Sequence, residues 1–202
     1  IHGEAGDIYS YGVLAGNNDP WKYYEILAPY NLGEIDIGAE MNVRVDSGCD
    51  IGECYHDGGC DCKFQLQTAL EKAREQMGII VHIPTQDGRG YGMAVKMATE
   101  GGKRGIDVGY NHEMPSMDTI TSARTLLGEE YDIRTYEGAA ALLVTMGFHN
   151  INLITDSRVK LEALHQAGLN VMRIPTGTQN GNHHAHEHVH AKHTNGNGYY
   201  GD

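Results

Sequence analysis

Basic residues are scarce in this chain. Fifteen Lys and Arg stand against 27 Asp and Glu, a formal net charge of −12 over 202 residues. That balance provides no general basic field, so nucleic acid held through its backbone is excluded as a partner. A phosphate-bearing ligand would have to be met by a local group of cations. No apolar run approaches the roughly 18 residues of a membrane span, so no membrane partner is expected. The start, Ile1-His2-Gly3-Glu4, has neither the basic nor the apolar region of a signal peptide, and a cytoplasmic location is the expectation. No internal repeat is visible. Cysteine is missing everywhere except between Cys49 and Cys62, where all four lie. Such crowding without a secretion signal points to a metal site before disulfides.

What is present fits an ordinary globular domain, at 40% hydrophobic and 21% charged residues. At this size about two-thirds of the extended chain's surface can be buried. Alternating patterns predict strands over 8–13, 23–27 and 39–45. Residues 46–63 read as a Gly- and Asp-rich loop. Over 64–77, Leu66, Ala69, Leu70, Ala73 and Met77 share one helical face, and Gly78 stops the helix before a short buried strand, 79–83. A loop follows at 85–90. A helix is expected to begin within 91–99, and 100–116 reads as an irregular insertion. Helices are predicted over 118–127, 136–146 and 157–167, and strands over 150–155 and 169–174. Strand–helix–strand order predicts an α/β (mixed α+β) fold, a mixed β-sheet with flanking helices and a β-rich front half. The catalytic domain is expected to occupy 1–175. The Gly/Asn/His-rich residues 176–202 form a tail, where six histidines cluster between His183 and His193. Their alternation at His186, His188 and His190 would suit a second metal site or flap; a solvent-exposed tail is the simpler reading.

The cysteines carry the chemistry. Cys49, Cys60 and Cys62 are three thiolates from one loop, two of them in a Cys-x-Cys pair, and can hold zinc with a fourth position open, as a catalytic zinc requires. Cys54 could close the site into a structural one. Closed sites usually use two separated Cys-x-x-Cys knuckles, and none exists here. Further along, Arg89, Arg134 and Lys160 are cations able to meet phosphate. Asp132 and Arg134 could equally be a surface ion pair of little worth, and Arg89 could simply cap a turn. His82, ending an apolar strand, reads as a satisfied core histidine.

Four segments, in order, resemble the GTP cyclohydrolase II family. Arg44-Val45-Asp46-Ser47-Gly48-Cys49, ten residues, then Cys60-Asp61-Cys62-Lys63-Phe64-Gln65-Leu66 is similar to that family's zinc loop. Gln86 to Gly92, Asp132 to Tyr136 and Leu153 to Lys160 are similar to its later motifs. The resemblance implies a GTP cyclohydrolase II-like fold and a cytoplasmic hydrolase acting on cyclic amidine C–N bonds. Such an enzyme opens the base ring of GTP and releases formate and pyrophosphate, as in riboflavin biosynthesis. It implies Cys49, Cys60 and Cys62 as ligands of one Zn²⁺ per chain. It implies Arg44, Gln65, Asp87, Gly88, Arg89, Thr155 and Lys160 as substrate-binding residues, and Asp132 and Arg134 as catalytic residues acting at the α-phosphate. It also implies Mg²⁺ bound with the phosphates and a homodimer.

The chain departs from the family at Asp46, where the family has His, at Lys63 (Gly) and at Asp87 (Glu). The segment Val95 to Glu100 lacks the family's tyrosine, and Asp156-Ser157-Arg158 replaces Asn-Asn-Pro. These substitutions fall in substrate-facing segments and leave alternatives open. One is a ring opening that retains the formyl group. Another is ring opening of a uracil nucleotide in pyrimidine catabolism. A third, of another class, is a nucleotide-binding sensor without turnover.

Overall fold

The computed structural model of the protein describes residues 2–3, 6–14, 23–103, 105 and 117–177. The His-rich segment and most of the expected 100–116 insertion lie outside the described residues. A two-residue ribbon, β1 (His2–Gly3) with β2 (Gly6–Asp7), precedes a six-stranded sheet. The sheet contains β3 (Tyr9–Leu14), β4 (Tyr23–Ala28), β5 (Met41–Asp46), β6 (Gly78–His82), β7 (Asn150–Ile154) and β8 (Asn170–Ile174), in the spatial order β3-β4-β6-β5-β7-β8. The β3 and β4 edge is antiparallel; β6, β5, β7 and β8 run parallel. The expected mixed α/β sheet with flanking helices is thus observed.

Strand β5 explains how the sheet builds a site. All six of its residues are buried. Successive side chains leave opposite faces. Met41, Val43 and Val45 join the larger core with Ala139, Ala140 and Leu143 of α5 (Glu137–Thr145) and Leu164 of α6 (Arg158–Gln166). The opposite face carries Asn42, Arg44 and Asp46, a polar row beneath α2 (Cys62–Glu75). Burying polar groups is tolerable only if they are bonded. Asn42 Nδ2 accordingly donates to Lys72 O (3.2 Å) on that helix and to Gln76 Oε1 (3.3 Å) just past its end. The helix closes a second, smaller core, in which Ala69, Leu70 and Ala73 meet Ile80 and Ile154.

Several boundaries differ from those expected. The cysteine loop contains a short helix, α1 (Asp50–Glu53), and α2 begins at Cys62 rather than at residue 64. Met77 is exposed beyond the end of α2, not on its buried face. The helix anticipated after residue 91, α3 (Met93–Lys103), continues through Gly101-Gly102 into the segment read as irregular. The reason is contact: a Cβ on Gly102 would come within 2.4 Å of Ser122 Oγ, so glycine permits α3 to lie against α4 (Thr119–Leu127). Ser122 Oγ donates to Thr99 O at 2.7 Å and ties the pair. Asp118 caps α4 by accepting from the Ile120 and Thr121 amides.

In the parallel part of the sheet, β5 leads through α2 to β6 on one side, while β7 leads through α6 to β8 on the other. The reversal falls between β5 and β7. Ligands of open α/β sheets bind at such a point, outside the carboxyl ends of the strands.

Candidate active site

A cleft opens at that point. It is lined by the ends of β5 and β7, by the loop after β6 and by the thiols. Cys49 leaves β5 through Ser47-Gly48, and Cys60 and Cys62 return at the start of α2. The Cys49 and Cys60 sulfurs are 3.9 Å apart, and the three ligand sulfurs all lie within 4.8 Å of one another. Four ligands at about 2.3 Å in a tetrahedron would separate sulfurs by about 3.8 Å, so the cup is already close to zinc geometry. Gly52 makes the approach possible, since a Cβ there would sit 2.4 Å from Cys60 Sγ and 3.4 Å from Cys49 Sγ. Cys54 is exposed and outside the cup, which leaves the donor set at three.

Without a metal the cup holds protons. The hydrogen bond with Cys60, with burial behind it, pushes the Cys49 thiol up to about 12. At Cys60 the bond with Cys49 pulls down, but the bond with Cys62 and burial outweigh it, and the thiol also stands at about 12. A metal would have to displace these protons.

The floor of the cleft is a charge-balanced network. Arg44 Nη2 donates to Gln65 Oε1 (2.9 Å) and to Asp46 Oδ1 (3.3 Å), and Nη1 donates to Ile154 O (3.4 Å). Gln65 in turn donates to Asp61 Oδ2 at 2.9 Å. Asp46 Oδ2 accepts from the Gly48 amide (3.1 Å) and faces His82 Nδ1 at 2.9 Å, its register partner on β6. Burial alone would raise Asp46; the His82 bond, Arg44 and Lys160 together hold it well below the usual carboxylate range. Burial likewise opposes the charged form of His82, and Asp46 raises it overall. His82 is therefore a bonded, satisfied histidine, as expected. Glu53 lies near enough to Asp46 and His82 to suggest a second metal cup. Asp46, however, already has both oxygens engaged and its charge met. Burial, then repulsion from Asp46, pushes Glu53 up to about 8.

Lys160, in the first turn of α6, donates to Val45 O at 2.8 Å and lies 5.1 Å from the Tyr136 ring centroid. Thr155 is buried, and its hydroxyl accepts from the Ser157 amide at 3.0 Å. Both residues line the cleft, as do Arg44 and Gln65.

Asp87, Gly88 and Arg89 form the near rim. Asp87 Oδ1 accepts from Gly88 N (2.7 Å), while Oδ2 is buried without a hydrogen-bond partner. Arg89 has φ +61°, a left-handed backbone that costs a non-glycine residue energy and is found at functional turns. Gln86 Nε2 donates to Thr135 O and fastens this turn to the far rim. There Asp132 accepts from Arg134 Nε at 2.8 Å and from Arg89 Nη1 at 3.1 Å. Burial raises Asp132, but the Arg134 bond and the two guanidiniums lower it overall. The pair read as a possible surface bridge is therefore two members of a three-residue charge cluster beside the cleft.

Of the twelve site residues expected from sequence, ten line this cleft, including Cys49 and Cys62. Cys60 is buried behind Cys49, and Asp132 stands behind Arg89 and Arg134. Sequence reading missed Lys96, which lines the cleft from α3, and Glu53. For Lys96 the available signal was a lone cation four residues before Glu100 on a helix, a spacing that reads equally as a solvated face.

An α/β sheet with a cup of three thiols and a cation-lined cleft at its switch point is the frame of an enzyme domain, and the cup offers three donors that could hold a metal ion. The chain belongs to the GTP cyclohydrolase II family, whose model matches residues 24–175. Among relatives, a riboflavin biosynthesis protein RibBA of Staphylococcus saprophyticus is 33% identical over 182 residues, covering 88% of this chain and 42% of its own. RibBA of Endomicrobium trichonymphae is 36% identical over 135 residues, 66% of this chain and 30% of its own. RibBA of Staphylococcus aureus is 35% identical over 130 residues, 64% and 30%. The chain thus spans less than half the length of these relatives. Among the described residues no helix is long and apolar enough to cross a membrane.

Proposed function

We propose that this domain is a zinc-dependent GTP cyclohydrolase that hydrolytically opens the guanine ring and releases formate and pyrophosphate, within riboflavin biosynthesis. The observation that carries the reading is that the thiolate cup and the cations Arg44, Arg89, Arg134 and Lys160 reach one cleft. The cup fits zinc in donor type, number and spacing. Bound there, zinc would supply a Lewis acid and lower the pKa of its water toward ~7.

The remaining work falls to the chain itself. Arg89 and Arg134 bind phosphate oxygens through planar, permanently charged forks. A guanidinium stays protonated in proteins, so Arg134 is assigned as stabiliser of charge developing at the α-phosphate rather than as attacking group. Asp132 orients both guanidiniums. Thr155, Ser157 and the amino end of α6 offer further phosphate donors. Arg44 and Gln65, fixed by Asp46 and Asp61, position the base. Mg²⁺ would share the phosphate charge, and Asp87, one of the residues lining the cleft, is the nearest carboxylate on the Arg89 turn. Family membership supports a homodimer. The names of the relatives carry riboflavin biosynthesis and give the uracil reading no support.

The test is a nucleotide panel. Zinc-loaded protein with Mg²⁺ is offered GTP, GMP, UTP or UMP while formate, pyrophosphate and base absorbance are followed. Formate and pyrophosphate from GTP are expected. Loss of the GTP spectrum without formate would mean opening that stops at the formyl stage. Change only with a uracil nucleotide, or binding without any change, would overturn the reading.

A further inference from the structure

Helix α3 brings a row of buried charge against the cup. Lys96 lines the cleft with Cys49 and Cys62. Its side chain is only 15% exposed, and its Nζ lies 3.6 Å from Glu100 Oε1. The other carboxylate oxygen of Glu100 takes Lys103 Nζ at 3.0 Å. Lys103 Nζ also donates to Gly59 O at 3.2 Å, one residue before Cys60. A chain of polar contacts therefore runs from Lys96, on the wall of the cleft that the thiols share, along one face of α3 and back to the cysteine loop at Gly59.

The charges explain why such a strut should exist. A dication with three thiolates carries a net charge of minus one, and a buried unbalanced charge is costly. Lys96 supplies the missing positive charge. Glu100 and Lys103 cancel each other, so the ensemble of metal, thiolates and strut is neutral.

We propose that Lys96 is a positioning residue of the thiolate centre: its ammonium is the buried counter-charge of the three sulfurs, held in place by Glu100 and, through Lys103, by the cysteine loop. The proposal rests on the reading that the cup holds zinc. Lys96 acts through the metal ligands and makes no claim on the phosphates.

The experiment compares the full chain with Lys96→Met, Lys96→Arg and Lys103→Met. Zinc retention is measured against a chromogenic chelator, the absorption of the cobalt-substituted proteins is recorded, and kcat and KM for GTP are determined. Outer partners of metal ligands are worth about 10–100-fold in affinity, and a loss of that size is expected for Lys96→Met, with a changed cobalt spectrum. Lys96→Arg, which keeps the charge, should recover most of the affinity, and Lys103→Met should fall between. KM should move less than kcat. Wild-type zinc retention by Lys96→Met, with a raised KM, would overturn the proposal and make Lys96 a phosphate contact, leaving the proposed function intact. Equal damage from Met and Arg would overturn it in favour of packing. Absence of zinc from the wild type would instead remove the metal reading of the cup itself.

Discussion

The floor and the rim of the cleft are built differently. The floor (Arg44, Asp46, Gln65, Lys160) sits on strand ends and first helical turns, nearly dry, with its charges matched inside the fold. The rim (Arg89, Asp132, Arg134) sits on loops, and the Asp132 side chain is 27% exposed. Both use arginine–carboxylate pairs. The floor pairs cannot be removed singly without stranding a buried charge, whereas water can replace a lost rim partner. Fold and chemistry are therefore coupled in the floor and separable at the rim.

The comparison can be tested through a series of substitutions. The largest effect belongs to the cup. Cys60→Ser and Gly52→Ala should each strip zinc and abolish turnover, the second because its methyl would occupy the space beside Cys60 Sγ. Metal analysis with formate release checks both, and full activity of Gly52→Ala would show that the helix yields. Next, Asp46→Ala should destabilise the fold by about 3–5 kcal/mol, because Arg44, Lys160 and His82 lose their common partner; urea unfolding measures it. Arg134→Ala should lower kcat by about 10²–10³, the cost of removing one charge-stabilising donor, while stability stays within about 0.5 kcal/mol. A comparable loss of stability there would erase the distinction between floor and rim.

The smallest effect is one of pH. The contribution of His82 is complete below its ordinary pKa of 6.5 and is lost as pH rises through the raised value. That of Asp46 is present above 3.8 and is lost as pH falls through its depressed value. Together they stabilise most between roughly pH 4 and pH 6.5. His82→Gln should flatten the alkaline side of the stability profile, and an unchanged profile would show that the pair is uncoupled.

The cysteine cup was legible because ligand spacing is local in the chain. The strands of the sheet were legible because burial imposes period two on β3 and a continuous apolar run on β6, Ile79-Ile80-Val81. The far end of helix α3 was not: Gly101-Gly102 reads as a breaker, and only the approach of Ser122 from α4 reveals why glycine is there. Lys96 was missed for the same reason, since its partners in the cup lie more than thirty residues away. Asp46 stood out only as a departure from a family pattern; its pairing with His82 depends on strand register, which β5 and β6 acquire only side by side in the sheet.

The left-handed turn at Arg89 has a consequence for evolution. A glycine there would fold with less effort, because it populates positive φ without penalty. Keeping a side chain at this position means that the domain accepts a standing loss of stability to aim a guanidinium into the cleft. Selection for robustness alone would erode the site at Arg89 first, producing a sturdier protein that no longer grips its ligand.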